Sequence, residues 1–424
     1  LDPKRAADSV PEGGRDLACR FCGTPLAEVF VDLGMSPLSN SYLRAEQLQA
    51  AEPFYPLCTY VCSRCFLVQL PEAATPEAIF SDYAYFSSYS DTWLRHAEDY
   101  VAAMVERFAV GPRHQVIEIA SNDGYLLQYF QRRGVPVLGI EPARNVAAAA
   151  QARGIPTLVR FFGLQAAREL AAEGRDADLV VGNNVLAHTP ALVDFVEGLA
   201  AVLRPQGIVT LEFPHLVRLV AENQFDTIYH EHFSYFSFTA VSRVLAAHGL
   251  EVFDVEELAT HGGSLRLFAQ RAGDGRHPVA ARVAALLERE AALGIESLDY
   301  YRAFAARVRE TKWKLVEFLI GERRRGRTIV GYGAPAKGNT LLNYCGVRGD
   351  LLDYTVDRSP HKQGLYLPGT RIPIHSPERI RATRPDWVLI LPWNLKHEVM
   401  AQMADVRSWG GRFLVAIPEV TVEP

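Results

Sequence analysis

No stretch of this 424-residue chain stays apolar over the roughly 20 residues that a helix needs to cross a bilayer. A membrane partner is therefore not expected. The chain also lacks an excess of basic charge: 44 Lys and Arg stand against 49 Asp and Glu, leaving a net charge of −5 and a pI near 6.2. Phosphate backbones attract proteins through clustered cations, and the only dense basic run is Arg323 to Arg327. Nucleic acid is not expected as a partner either. Residues 1–16, LDPKRAADSVPEGGRD, have no apolar core of the kind a secretory signal needs and read as a polar tail. These absences point to a cytoplasmic location and a monomer, although the missing initiator Met leaves room for a removed leader.

Cysteine is scarce. Of six residues, four fall in two close pairs, Cys19-Arg-Phe-Cys22 and Cys62-Ser-Arg-Cys65. A tight knuckle puts two sulfurs on one metal, and two knuckles complete a tetrahedral thiolate site. Zinc is the economical occupant. Four protein sulfurs leave no open coordination position, so the metal would be structural. Disulfides are the alternative, disfavoured by the cytoplasmic character of the chain. Cys58 and Cys345 read as ordinary thiols.

What the chain has in quantity is apolar residues, 49% against 22% charged, enough for two or three cores. Residues 75–108 read as helical. Strands and helices then alternate through VIEIA, VLGIE, ADLVVGN and GIVTLEF, which implies βαβ units and a mostly parallel sheet. After a helical stretch past His277, alternation resumes at TIVGYGA, LDYTVD and DWVLILP. The expected fold is α/β: a small zinc-binding module over 1–75, a central Rossmann-like sheet over 76–285 and a second Rossmann-like αβ domain over 286–424.

The central sheet opens with a strand ending near Glu118 and a loop, Ala120-Ser121-Asn122-Asp123-Gly124, that leads into a helix. This is where a doubly wound sheet admits a nucleotide. The glycine cluster that cradles a pyrophosphate is missing; a single glycine remains, which turn geometry alone can explain. The next strand ends in Glu141-Pro142, where an acid can hold a ribose diol. An adenosyl cofactor without a bound pyrophosphate, S-adenosylmethionine (SAM), fits better than NAD. Glu118, Ala120, Asn122, Gly124, Glu141 and Pro142 are its candidate contacts, with Asn183 and Asn184 from VVGNNVLAHTP. His188 shares that strand end, although a lone histidine is more often a core or cap residue.

The densest chemistry lies in DTIYHEHFSYFS, residues 226–237. His230 and His232 share a face if the segment is extended, so a second metal is one reading. Phe233, Tyr235, Phe236 and Phe238 alternate as in a buried strand. In the last domain, GYGAPAKGNTLLN offers glycines and Lys337 to a diphosphate, supported by His361 and Lys362 after the next strand and by ILPWN after a third. Lys337 read alone is equally a solvated charge.

Taken in order, CRFCG, CSRC, EIASNDG, NNVLAHT, YHEHFSYFS and GYGAPAKGNTLLN resemble the zinc-containing sugar C-methyltransferases of antibiotic deoxysugar pathways, from about Cys19 to the C-terminus. The resemblance implies three domains, SAM as methyl donor and a dTDP-linked 4-keto-6-deoxyhexose as substrate, methylated at C3 in preference to C5. It implies His232 as general base, Glu231 as its orienting neighbour, and Tyr229 and His188 as hydrogen-bond donors near the ketone, with His230 structural. Tyr83, Tyr85, Lys337, Asn339, His361 and Lys362 are implied on the sugar nucleotide, the tyrosines equally readable as packing residues. The rival functions are an O-methyltransferase and a noncatalytic zinc-containing nucleotide-binding protein.

Overall fold

The structure, a computed structural model, describes residues 17–75, 87–89 and 91–423. Its first sheet begins with β1 (Glu28–Ser36), β2 (Tyr55–Val61) and β3 (Val68–Gln69), all antiparallel neighbours. The two cysteine knuckles flank this sheet. Helical structure follows over Ser87–Tyr89, as a short 3-10 turn, and over Asp91–Phe108. The earlier part of the predicted helix, with Tyr83 and Tyr85, lies outside the described residues.

The central sheet contains β4 (Val116–Ile119), β5 (Val137–Ile140), β6 (Thr157–Leu158), β7 (Ala177–Asn183) and β8 (Leu203–Pro214), all parallel. Next along the chain, β9 (Ser234–Tyr235) leaves this sheet and pairs with β3, so the first sheet reads β1-β2-β3-β9. The chain then returns through β10 (Leu250–Leu258) and β11 (Ser264–Arg271), an antiparallel hairpin added beside β8. The full order is β10-β11-β8-β7-β4-β5-β6. Strand order reverses between β4 and β7, the switch point where such sheets open a ligand crevice. The expected βαβ alternation is present, but the sequence reading left β10 and β11 unassigned, although LEVFDVEEL and SLRLFAQR carry much of a period-two pattern.

The third sheet has the order β14-β13-β12-β15-β16-β17. Its members are β12 (Ile329–Tyr332), β13 (Thr355–Val356), β14 (Ile374–His375), β15 (Trp387–Ile390), β16 (Arg412–Val415) and the antiparallel edge β17 (Thr421–Glu423). Its switch point lies between β12 and β15, where helix Ala336–Cys345 begins.

Successive strand residues point to opposite faces. Val116, Leu179 and Val181 meet Tyr100 and Met104 of helix Asp91–Phe108, while Ile117, Ile119 and Val180 meet Phe195 and Leu199 across the sheet. Cys19, Cys62 and Cys65 join this second core. Phe30 and Val31 of β1 instead share a core with the last domain, where Phe30 stacks on Phe304 at 4.6 Å between ring centroids. The small module is thus wedged between the two larger sheets. Phe238 does not continue a strand: it opens helix Phe238–Ala247, because Ser237 Oγ accepts the Ala240 N–H at 3.0 Å and caps the helix there.

Gly124 and Gly154 both adopt left-handed backbone, with φ of +76° and +78°. A Cβ on Gly124 would lie 2.8 Å from Ile155 Cγ1, whereas nothing stands within 4 Å of one on Gly154. Gly154→Ala should therefore cost about 1 to 2 kcal/mol, the strain of a left-handed L-residue. Gly124→Ala should cost at least about 1 kcal/mol more through overpacking. Urea unfolding of the two variants measures the difference, and equal losses would show that Ile155 yields freely.

Candidate active site

In the front module the four sulfurs of Cys19, Cys22, Cys62 and Cys65 lie within 4.8 Å of one another. Cys19 Sγ is 3.5 Å from Cys65 Sγ, and Cys22 Sγ is 3.5 Å from Cys62 Sγ. A tetrahedron with metal–sulfur bonds of about 2.3 Å has sulfur–sulfur edges of about 3.8 Å, so the donor set fits zinc. Gln69 Nε2 donates to Cys19 Sγ at 3.2 Å and the Arg64 N–H to Cys62 Sγ at 3.4 Å, the contacts that thiolates accept. Among the described residues no histidine cluster forms a second metal group.

The loop after β4 bends through positive φ at Ala120 (55°), Asn122 (49°) and Gly124 (76°). Glu141 holds this bend: its Oε2 accepts the Asn122 N–H at 2.9 Å and its Oε1 the Ala143 N–H at 2.8 Å. Burial raises the Glu141 carboxyl above the usual range, against those two bonds. Glu118, fully inside beneath the loop, is held well above that range by burial first and by the Glu141 charge second. At the end of β7, both amide atoms of Asn183 and Oδ1 of Asn184 are buried with no hydrogen-bond partner among the described residues. A buried polar group without a partner is costly, and a nucleoside in the crevice would satisfy these. The residues therefore fit SAM, with one change of role: the space beside Gly124 belongs to Ile155, so this glycine serves the turn. Over the loop lies Ser87–Tyr89, whose Ser87 N–H bonds to Asn122 Oδ1 at 2.8 Å and whose Ser88 hydroxyl bonds to Asp123.

The segment from Asp226 is fixed from both larger domains and the module. Thr340 Oγ1 donates to the Ile228 carbonyl at 3.0 Å. His230 Nε2 donates to the Pro56 carbonyl at 3.2 Å and its ring packs on Tyr55, so it is a joint to the module. Glu231 accepts the Asn40 amide at 2.5 Å. Phe233 N–H bonds to the Ala187 carbonyl at 2.7 Å, bringing the loop beside His188.

His232 sits at the centre. Its Nδ1 lies 2.8 Å from the Thr227 carbonyl. A carbonyl only accepts, so Nδ1 carries the proton and Nε2 of the neutral ring keeps its lone pair. The ring is 4.0 Å from Tyr229 and 4.7 Å from His188, centroid to centroid. Burial holds His232 well below the ordinary 6.5, helped by His188, His261 and Lys337. Burial likewise pushes His188 down to about 4. Both rings are neutral at pH 7, and the one N–H of His188 is taken by the Glu231 carbonyl, so its other nitrogen is an acceptor rather than the expected donor.

The structure also brings in residues that the sequence reading passed over. His261 stands on the turn between β10 and β11 at φ +54°, in edge contact with Trp93, and its Nε2 has no hydrogen-bond partner among the described residues. Its basicity is lowered to about 4, by burial first and Lys337 second. Asp226 accepts the Trp393 indole N–H at 2.8 Å, and burial pushes its carboxyl up to about 7. Neither carries a sequence signal beyond being polar in an apolar neighbourhood; their partners come from distant strands.

Lys337, in the first turn of helix Ala336–Cys345, belongs to this cluster. Asn339 Nδ2 donates to the Ser39 carbonyl at 2.6 Å and ties the helix to the module. Lys362 Nζ donates to the Ala334 carbonyl at 2.8 Å, on the turn before that helix, and lies 3.8 Å from Asp357. His361 is exposed, with Nε2 3.2 Å from the Tyr89 hydroxyl.

A doubly wound sheet with an appended antiparallel hairpin, an acid after β5 and open polar groups after β7 defines a SAM-dependent methyltransferase. Comparison with known proteins gives the particular kind. The "Methyltransferase domain" family matches residues 93–255, the "Putative zinc binding domain" family residues 19–80, and the "C-methyltransferase C-terminal domain" family residues 259–418. The chain is 38% identical to the C-methyltransferase NovU of Streptomyces niveus over 404 residues, which covers 95% of this chain and 96% of that protein. It belongs to this family of zinc-module C-methyltransferases, and the O-methyl and noncatalytic alternatives give way. Solved structures that resemble it include magnesium protoporphyrin IX methyltransferase of Synechocystis PCC 6803 with bound SAM (16% identity, TM-score 0.33, covering 42% of this chain and 79% of that one). Another is the PH0226 protein of Pyrococcus horikoshii OT3 (15% identity, TM-score 0.37, covering 46% and 97%). Among the described residues no helix is long and apolar enough to cross a membrane.

Two outcomes follow. Chelator-free protein should carry about one zinc per chain, and Cys65→Ser should lower both metal content and melting temperature; zinc-free protein with an unchanged melt would remove the metal from the fold. Glu141→Ala should weaken SAM binding by on the order of 1.5 to 3 kcal/mol, the loss of bonds to a charged group. Calorimetry on the folded variant checks this, and an unaltered affinity would take the carboxylate out of the cofactor site.

Proposed function

We propose that this C-methyltransferase acts on a dTDP-linked 4-keto-6-deoxyhexose, methylating a carbon next to the ketone, C3 in preference to C5, through an enolate. The observation that carries the reading is the fixed lone pair of His232 Nε2: its other nitrogen is committed to Thr227, and burial keeps the ring neutral. A C–H beside a ketone is acidic enough for such a base. SAM, when bound, would supply the methyl group as an electrophile, its S–CH3 bond breaking with the electron pair kept by the departing neutral thioether S-adenosylhomocysteine.

His232 Nε2 takes the proton from the carbon, and the C–H electron pair moves toward the ketone oxygen. Tyr229 donates a hydrogen bond to that oxygen as charge develops there, with His188 beside the base. The pair then returns to carbon as the new C–CH3 bond forms, and the histidine releases its proton to solvent. Glu231, held by Asn40, fixes the backbone on which the base stands. His361 and Lys362, beside the start of helix Ala336–Cys345, hold the diphosphate, with Tyr83 and Asn339 as further substrate-side residues.

His232→Ala should reduce turnover by about 10²- to 10⁴-fold, the usual worth of a general base, while SAM still binds. NMR of the wild-type product should show a methyl on carbon adjacent to C4. Because His232 sits well below its ordinary 6.5, the acid limb of kcat/KM should fall below pH 6.5, with activity lost as pH drops through it. A folded His232→Ala protein that methylates at near wild-type rate would remove this residue from the proton step.

A further inference from the structure

A lysine at the start of a helix after a glycine-bearing turn suggests a phosphate ligand, but the surroundings of Lys337 favour another anion. Its Nζ donates to Asn394 Oδ1 at 2.8 Å and lies 4.6 Å from the Trp393 ring centroid. Trp393 in turn donates its indole N–H to Asp226, the buried residue that opens the histidine loop. The edge of the same indole fills the space beside Gly262, where a Cβ would lie 2.5 Å from it, one residue from His261. Lys337, Trp393 and Asn394 of the last domain therefore reach into the crevice of the central sheet. The Lys337 charge acts on Asp226, His232 and His261 alike.

An ammonium has three N–H donors, and among the described residues only Asn394 takes one as a hydrogen bond. No carboxylate lies within ion-pair distance of it, whereas Lys362 on the other side of the turn has Asp357 at 3.8 Å. The two cations thus face different tasks. Lys362 belongs with the exposed His361 at the outer side of the helix start, where a diphosphate fits. Lys337 stands among aromatic rings and neutral histidines. Tyr229 offers the ketone oxygen a hydrogen bond but no formal charge, and an enolate in a dry site needs a countercharge.

Resting on the enolate reading above, we infer that Lys337 is a further catalytic residue, whose ammonium faces the ketone oxygen and carries the countercharge of the enolate. The proton balance agrees with this placement. Removing the substrate proton makes His232 cationic, and a second cation beside it is tolerable only with an anion between the two. The enolate is that anion. Burial lowers Lys337, and Asp226, reached through Trp393, acts against that and favours the charged ammonium without closing on it.

The test separates this role from diphosphate binding. Lys337→Met and Lys337→Arg would be compared with wild type in three measurements: steady-state methyl transfer, dTDP affinity by calorimetry, and exchange of the proton alpha to the ketone in heavy water with S-adenosylhomocysteine bound. Lys337→Met should lower kcat by about 10²- to 10³-fold, the loss typical of one oxyanion donor, and slow exchange in parallel. Its dTDP affinity should stay within about twofold, because no contact to the nucleotide is lost. Lys337→Arg should recover part of kcat, which a folding defect in the Met variant would not predict. If Lys337→Met instead keeps its kcat and loses dTDP affinity tenfold or more, the charge belongs to the diphosphate and the inference fails. If wild type methylates no 4-keto sugar nucleotide, it is the substrate reading that falls first.

Discussion

The site depends on one short pairing. Val68 and Gln69 of β3 lie antiparallel to Tyr235 and Ser234 of β9, and the Leu70 N–H continues the ladder to the Phe233 carbonyl at 3.0 Å. On one side of this joint the chain has just left the second cysteine knuckle; on the other it has just left His232. Gln69 makes the coupling direct. Its backbone pairs with Ser234, its Nε2 donates to Cys19 Sγ, and its Oε1 accepts the Arg20 N–H at 2.9 Å. Each such bond contributes only about 0.5 to 1.5 kcal/mol, so the joint holds because the metal removes the freedom of the segment that makes it. A four-sulfur site leaves zinc no open position for chemistry, yet through this joint it would hold the loop that carries His232.

Two kinds of buried charge are visible, and they sort structure from function. His215 and Glu290 meet at 2.7 Å, and Glu290 also accepts the N–H groups of Phe238 and Thr239. Glu212 is equally satisfied by His96, Arg266 and Thr260. Both carboxyls are held below their usual range by these partners, although burial acts against them. Such closed networks hold elements together. Around the crevice the pattern is reversed: Glu118 and Asp226 are raised, and His188, His232 and His261 lowered, with burial the first cause in every case. Groups pushed toward their neutral forms by desolvation, next to polar atoms with no hydrogen-bond partner among the described residues, mark the place where a ligand completes the electrostatics.

What was legible in the sequence is what depends on near neighbours. Two Cys-x-x-Cys knuckles report a metal because the spacing itself is the geometry, and the βαβ alternation locates the strand ends where Glu118, Glu141, Asn183 and His188 stand. The histidine loop announces itself by density of proton carriers. The rest depends on chain segments far apart. That His230 serves the module while His232 serves the crevice follows from Pro56 and Thr227 carbonyls, not from the motif. Gly124 reads as a ligand glycine until Ile155 occupies its open side. Asn339 and Lys337, two residues apart on one helix, part company because one turns to Ser39 and the other to Asn394. His261 was missed because β10 and β11, which fix its turn, were themselves unassigned.

These contacts also bear on why three domains share one chain. A general base, its hydrogen-bond donors and a countercharge must hold their relative places to within fractions of an ångström to lower the barrier to carbon deprotonation. The residues proposed for these roles, and His188 beside the base, arrive from separate units. His188 comes with the central sheet, His232 rides on a loop clamped by the zinc module, and Lys337 comes with the last domain. No single unit fixes that geometry. Cross-links among the three do: Asn40 to Glu231, Tyr42 to the Ala334 carbonyl at 2.6 Å, Asn339 to Ser39 and Thr340 to Ile228. Each ends within the histidine loop or on the segment that carries Lys337. The front module is therefore a bracket between two Rossmann-like halves rather than a detachable appendage, and the wedge of Phe30 and Val31 in the core of the last domain helps to fix the histidine loop as much as the loop's own hydrogen bonds do.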